Sequence, residues 1–197
     1  RSDDGGETWT QVLPIIPDSS PYAVADIELT EANELYVGTM RNLELKGGGV
    51  ILNSSDGLNW SVEDRFATSI VEEASLYGFA AIPGRVKITS EDDMIYAVAT
   101  AGELNSFNQI RDIGFFTRLM YYTEGAWADL DGPTSNWASI PWHALAIDVD
   151  PNNPERLSIG GLDTYTLSNA LSGGSLSWTH ISDWSSMYYF SDYLIAY

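Results

Sequence analysis

Apolar residues in this chain come in short runs rather than at helical spacing, and the runs recur in a fixed order. Leu35-Tyr36-Val37-Gly38-Thr39, Ile95-Tyr96-Ala97-Val98-Ala99 and Leu157-Ser158-Ile159-Gly160-Gly161 each read as a short buried strand. Each is entered from an acidic or Asn/Pro turn, TEANE, TSEDD and DPNNPE. Another apolar run precedes each turn, at 24–29, 85–88 and 144–149, and a further strand follows, clearest at 49–53 and 117–122. The repeat reads strand, acidic turn, strand, loop, strand, tryptophan-bearing turn, strand. This pattern predicts an all-β chain of four-stranded antiparallel units.

The tryptophan-bearing turns have their own grammar. Ser2 to Trp9 reads SDDGGETW, and Ser54 to Trp60 reads SSDGLNW. Asp4 and Asp56 are placed to accept hydrogen bonds from the backbone N–H groups of the turn that follows, with Ser2 and Ser54 ahead of them. Gly6 and Gly57 can take positive φ, and Trp9 and Trp60 close the units. Weaker copies end in Trp127 (Thr123-Glu124-Gly125-Ala126-Trp127) and Trp178 (Ser172-Gly173-Gly174-Ser175-Leu176-Ser177-Trp178). The closing tryptophans at 9, 60, 127 and 178 are separated by 51, 67 and 51 residues. The string resembles the Asp-box, or BNR repeat, found in sialidases, xyloglucan-degrading propeller hydrolases, sortilin-type receptors and photosystem II assembly factors.

Four short strands per repeat with such turns predict β-propeller blades, and neighbouring blades would cover both faces of each sheet. The landmarks give half a blade at 1–16, blades at about 22–66, 80–132 and 142–183, and the start of another at 187–197. Propellers close with about four to eight blades, so the expectation is an open fragment of a larger ring, which the rest of the propeller must complete. Arg1 sits directly against a turn motif with no signal segment ahead of it, which reads as a chain beginning inside a repeat. Two insertions interrupt the pattern. One, 63–83, contains a segment, 69–76, able to form a turn of helix; the other, the polar stretch 100–112, reads as a loop.

Composition narrows the partners. Twenty-eight acidic against nine basic residues give a net charge of −19, which argues against nucleic acid and anionic membranes as ligands. Nothing approaches the roughly 20 apolar residues of a membrane-spanning helix. Cysteine is absent, removing disulfide scaffolds and thiolate metal sites, and a secreted chain without disulfides fits a bacterial exterior or cell surface.

Candidate chemistry is sparse. With 28 carboxylates, paired acids carry no information without geometry. The arginine-containing string of sialidases has only Ile82-Pro83-Gly84-Arg85 as a counterpart, in the wrong order. The stretch 143–157 is similar to the inner strand, aspartate-proline turn and second strand of the xyloglucan-degrading propellers, but their catalytic aspartates have no match. Asp148, Asp150 and Asn152 have the alternate spacing that opens a calcium loop, yet the glycine and glutamate of that loop are missing, and a turn is expected. His143 and His180 are too far apart to form a metal site, and no metal or cofactor is expected.

Aromatic residues thicken toward the end of the chain. Trp137, Trp142 and Trp184, in loop-like contexts, together with His143, are the candidate ligand contacts, since flat aromatic faces stack on sugars and anchor interfaces. The resemblance implies a secreted or cell-surface propeller serving as a glycan- or protein-binding or scaffold module. The alternative is a glycoside hydrolase whose active site spans blades partly outside this segment. A receptor or assembly-factor propeller is a third possibility.

Overall fold

The computed structural model describes residues 1–92, 94–104, 110–134, 137–138, 140, 144–171 and 176–183, with 104 and 110–116 as backbone only. The described chain is all-β apart from a single helix and forms three four-stranded antiparallel sheets. The first sheet runs β1 (Ala23–Leu29), β2 (Leu35–Met40), β3 (Ile51–Ser54), β4 (Ser61–Glu63). Helix α1 (Arg65–Leu76) follows it. The second sheet runs β5 (Ala81–Glu91), β6 (Met94–Leu104), β7 (Ile110–Thr123), β8 (Ala126–Leu130). The third runs β9 (Ala146–Asp150), β10 (Asn153–Gly160), β11 (Thr164–Leu167), β12 (Trp178–Ser182). In each sheet, sequence neighbours are sheet neighbours, joined as antiparallel hairpins.

The three sheets share one register. Ile27 lies opposite Val37, Ile88 opposite Ala97, and Ile147 opposite Ile159. One residue on, Glu28 meets Tyr36, Thr89 meets Tyr96, and Asp148 meets Ser158. Directly opposed residues share a face, so every sheet has an isoleucine face and a second face carrying Tyr36, Tyr96 or Ser158.

These faces stack in a constant sense. Tyr36 and Ile51 of the first sheet are buried against Val86, Ile88 and Ala97 of the second. Tyr96, Val98 and Leu119 of the second are buried against Ile147, Leu157 and Ile159 of the third. The first strands also lie side by side, β1 against β5 and β5 against β9. Between β1 and β5 the contact is polar: Asp26 accepts from the Ile88 N–H (3.0 Å) and pairs with Lys87 (3.2 Å), while Glu28 accepts from the Ser90 N–H (2.9 Å) and hydroxyl (2.7 Å). Gly38 permits the approach, since a Cβ there would lie 2.5 Å from the Val86 carbonyl oxygen.

The insertions are more ordered than the sequence indicated. The expected single turn of helix is a helix of 12 residues that buries Phe66, Ile70 and Ala74 along one stripe. It ends at Tyr77 and Gly78 (φ 78°), where Gly78 N–H reaches Ser75 O and Phe79 N–H reaches Ala74 O, a Schellman closure. The polar stretch 100–112 is not simply a loop. Pairing of Gly102 with Asp112, Glu103 with Arg111 and Leu104 with Ile110 extends the β6–β7 hairpin. Polar composition hid these strand ends. Residues 1–22 carry the first tryptophan turn and an isolated bridge between Ile15 and Pro21.

Candidate functional site

Both aspartate turns have the hydrogen bonding their sequences imply. Asp4 accepts from the Thr8 N–H (2.9 Å) and hydroxyl (2.5 Å) and from the Ser2 hydroxyl (2.8 Å). Ser2 Oγ in turn accepts from the Gly6 N–H at 2.7 Å, and Gly6 sits at φ 96°. Asp56 accepts from the N–H groups of Leu58 and Asn59, both at 2.8 Å, and from Asn59 Nδ2 at 2.7 Å, with Gly57 at φ 70°. The Thr8 hydroxyl holds the Asp4 carboxyl, and the Asn59 backbone and side chain hold the Asp56 carboxyl, well below the usual carboxylate range. These aspartates are consumed by the turns they close.

The four tryptophans diverge. Trp9 is 74% exposed, its Nε1 donating to Gly6 O. Trp60 packs beside Val37, Val50 and Leu52, together with Leu13 and Tyr22. Trp127 is buried between Phe66 and Tyr122, at ring distances of 6.1 and 5.3 Å. Trp178 donates to Asp131 O at 2.9 Å. The turn before Trp127 is a two-residue one: Thr123 pairs with Ala126, and both Glu124 (φ 51°) and Gly125 (φ 82°) are left-handed, the type I′ arrangement. Residues 172–175 of the fourth copy lie outside the described residues.

Of the candidate ligand contacts, Trp137 is 2% exposed and packs in the core between the second and third sheets. Its carbonyl accepts from Leu162 N–H, and Gly161 lies so close that a Cβ would be 2.4 Å from it. Trp142, His143 and Trp184 fall outside the described residues. At the suspected calcium loop, Asp150 accepts from the Asn152 N–H at 2.9 Å and pairs with Arg156 at 3.4 Å, so its carboxylate serves the turn.

One concavity among the described residues was missed by sequence reasoning. It opens where the β1–β2, β5–β6 and β7–β8 turns converge between the first and second sheets, with a volume of about 470 Å³. Tyr36, Tyr122 and Ile95 line it, with Glu34, Asp92 and Glu124 around them. A second cavity of about 360 Å³ shares Tyr36 and Tyr122 and continues toward Asn53, Glu63 and Arg65. The two tyrosine rings lie 6.4 Å apart, tilted by 55°. Tyr36, 4% exposed, donates its hydroxyl to Glu34 at 3.2 Å, and burial with that carboxylate keeps the phenol protonated far above its ordinary range. Arg65 donates to the Trp127 carbonyl at 2.6 Å. At the rim, Glu31, Glu91 and Asp92 each bring an oxygen within 4.8 Å of the others, near enough to share a cation, although exposed carboxylates on turns crowd this way without one.

These residues come from strand ends and turns separated by up to about 90 positions, so no local motif announced them. The signal available was the tyrosine at the second position of the paired strand in two repeats, Tyr36 and Tyr96. No protein-family model matches the chain, and no curated protein matches it significantly. Among the described residues no helix is long and apolar enough to cross a membrane.

Proposed function

We propose that this chain is part of an Asp-box β-propeller, secreted or held at a cell surface, that acts as a binding or scaffold module for glycan or protein ligands. The observation that carries the propeller reading is the equivalence of Ile27, Ile88 and Ile147. Ile88 is 4% and Ile147 9% exposed because the preceding sheet lies over each, whereas Ile27 is 61% exposed, with Leu29 at 59% beside it. Leu13 and Tyr22 cover the neighbouring Val37 and Leu52 but leave β1 bare. A further sheet of the same kind, stacked in the same sense, would complete the series and bury this strip.

The binding reading rests on the cleft between the first two sheets, at the end where their turns converge on a rigid scaffold. A glycan array and a pull-down with the full-length protein test it. Capture of a ligand that is lost in Tyr122→Leu supports the assignment; no ligand in either format, or capture indifferent to the cleft, defeats it.

One observation favours the hydrolase alternative. Glu31 on a turn of the first sheet brings a carboxylate oxygen within 4.8 Å of those of Glu91, at the end of β5, and of Asp92 on the following turn, so carboxylates of adjacent sheets meet at the rim. Release of reducing ends from a polysaccharide, abolished by Glu91→Gln, would establish it over the binding reading.

A further inference from the structure

Resting on the assignment of the cleft as the binding site, we propose that its ligand is a basic polypeptide segment that inserts a lysine or arginine side chain between the first and second sheets. The cavity has a volume of about 470 Å³, within the range of formed ligand sites and ample for one long side chain with its flanking backbone. The half-buried Tyr122 ring walls it, with the buried Tyr36 ring 6.4 Å away and tilted by 55°, and a cation over the Tyr122 face is attracted by its ring quadrupole. Ile95 adds an apolar surface for the methylene stem.

The charges in the cavity point the same way. Glu34, Asp92 and Glu124 line it and no lysine or arginine does. The Glu34 carboxylate takes one hydrogen bond from Tyr36, and its remaining acceptor capacity faces no cation among the lining residues. In the adjoining cavity Arg65 is committed to the Trp127 carbonyl. Exposed Glu31 beside Glu91 deepens the negative potential at the mouth. An anionic ligand would meet this field unfavourably. A guanidinium or ammonium is met by the half-buried Tyr122 ring and by the carboxylates around it.

The experiment uses the full-length protein and a fluorescein-labelled peptide of four lysines spaced by glycines, with its fully acetylated counterpart as the neutral control. Fluorescence anisotropy at about 0.15 M salt screens diffuse attraction to the acidic surface. Binding of the lysine peptide, weakened about 5- to 10-fold by Glu124→Gln with Asp92→Asn and by Tyr122→Leu, is the expected result. The remote pair Asp18→Asn with Glu44→Gln, both exposed at the β2–β3 loop end of the first sheet, removes the same charge and should leave the affinity within twofold. Tyr122→Phe keeps the ring and should retain binding, which separates a lost aromatic wall from a damaged fold. Equal weakening by the cleft and remote pairs would overturn the proposal, as would equal binding of the acetylated peptide or none of the lysine peptide. If no lysine peptide binds but a glycan does, and Tyr122→Leu abolishes that, the cleft assignment stands and the basic ligand falls. If nothing binds, both fall.

Discussion

Ile27 and Ile88 allow the stacking of the sheets to be tested with one residue type at one register position. Both lie on the first strand of a sheet, opposite Val37 and Ala97 respectively, and they differ in what covers them. Ile88, 4% exposed, sits under Tyr36 and Ile51 of the first sheet. Truncation to alanine removes three carbons, worth about 2.4 kcal/mol of transfer free energy at ~0.8 kcal/mol per methylene, and adds a cavity term. The expected loss is therefore about 2–5 kcal/mol. Ile27 is 61% exposed, so Ile27→Ala forfeits less than half the transfer energy and opens no cavity, for a loss of about 1 kcal/mol or less. At roughly 2–4 °C per kcal/mol for a domain of this size, Ile88→Ala should melt about 5–15 °C below the parent and Ile27→Ala within about 4 °C. Urea unfolding of the 197-residue chain, followed by tryptophan fluorescence, should give midpoints in the same order with unchanged slopes. Equal losses at the two positions, or a negligible loss at Ile88, would refute the stacking.

Three further outcomes follow from particular contacts. Gly38→Ala should lower the melting temperature by the equivalent of about 1–3 kcal/mol, because its Cβ would meet the Val86 carbonyl at 2.5 Å, and a neutral result would deny close packing of β2 on β5. Tyr96→Phe should cost about 1–2 kcal/mol in urea denaturation, since the hydroxyl, pushed up to about 12 by burial, donates to the Pro154 carbonyl at 2.6 Å. Asp56 binds its proton less readily folded than unfolded, so its contribution is complete above the unfolded carboxylate value of about 4 and fades as pH falls below it. The melting-temperature gap between parent and Asp56→Asn should accordingly be constant from pH 5 to 7 and narrow below pH 4; a gap that widens on acidification would contradict the turn assignment.

Much of the architecture was legible because strand, turn and face repeat in step. Runs such as Leu35-Tyr36-Val37 and Leu157-Ser158-Ile159, bounded by acidic turns, locate β2 and β10, and the serine-aspartate spacing of the two tryptophan turns is reproduced in their hydrogen bonds. Legibility failed where local composition misled. Glu124-Gly125 keeps enough of the motif to look like a degenerate copy, yet it is a two-residue turn whose conformation comes from positive φ at both positions. Trp137 lay in a polar loop context, but it is buried in the apolar cluster between the second and third sheets. The helix was underestimated because 63–68 reads as polar, although Phe66 begins the stripe that docks it. The cleft left one sign in the sequence, the tyrosine at the second strand position, and nothing that joined it to the turns. It exists only because two sheets place Tyr36, Asp92, Tyr122 and Glu124 at one end, a juxtaposition set by stacking rather than by spacing.

What lies over the bare isoleucine face of β1 decides the propeller reading. An experimental structure of the full-length protein reads this directly, through the element seated on Ile27 and Leu29. The expected element is a four-stranded antiparallel sheet, presenting to β1 the face equivalent to that of Tyr36 and Tyr96, with Ile27 buried to the degree of Ile88 and Ile147. A face left in solvent, or covered by a helix or by a sheet stacked in the opposite sense, would contradict that reading.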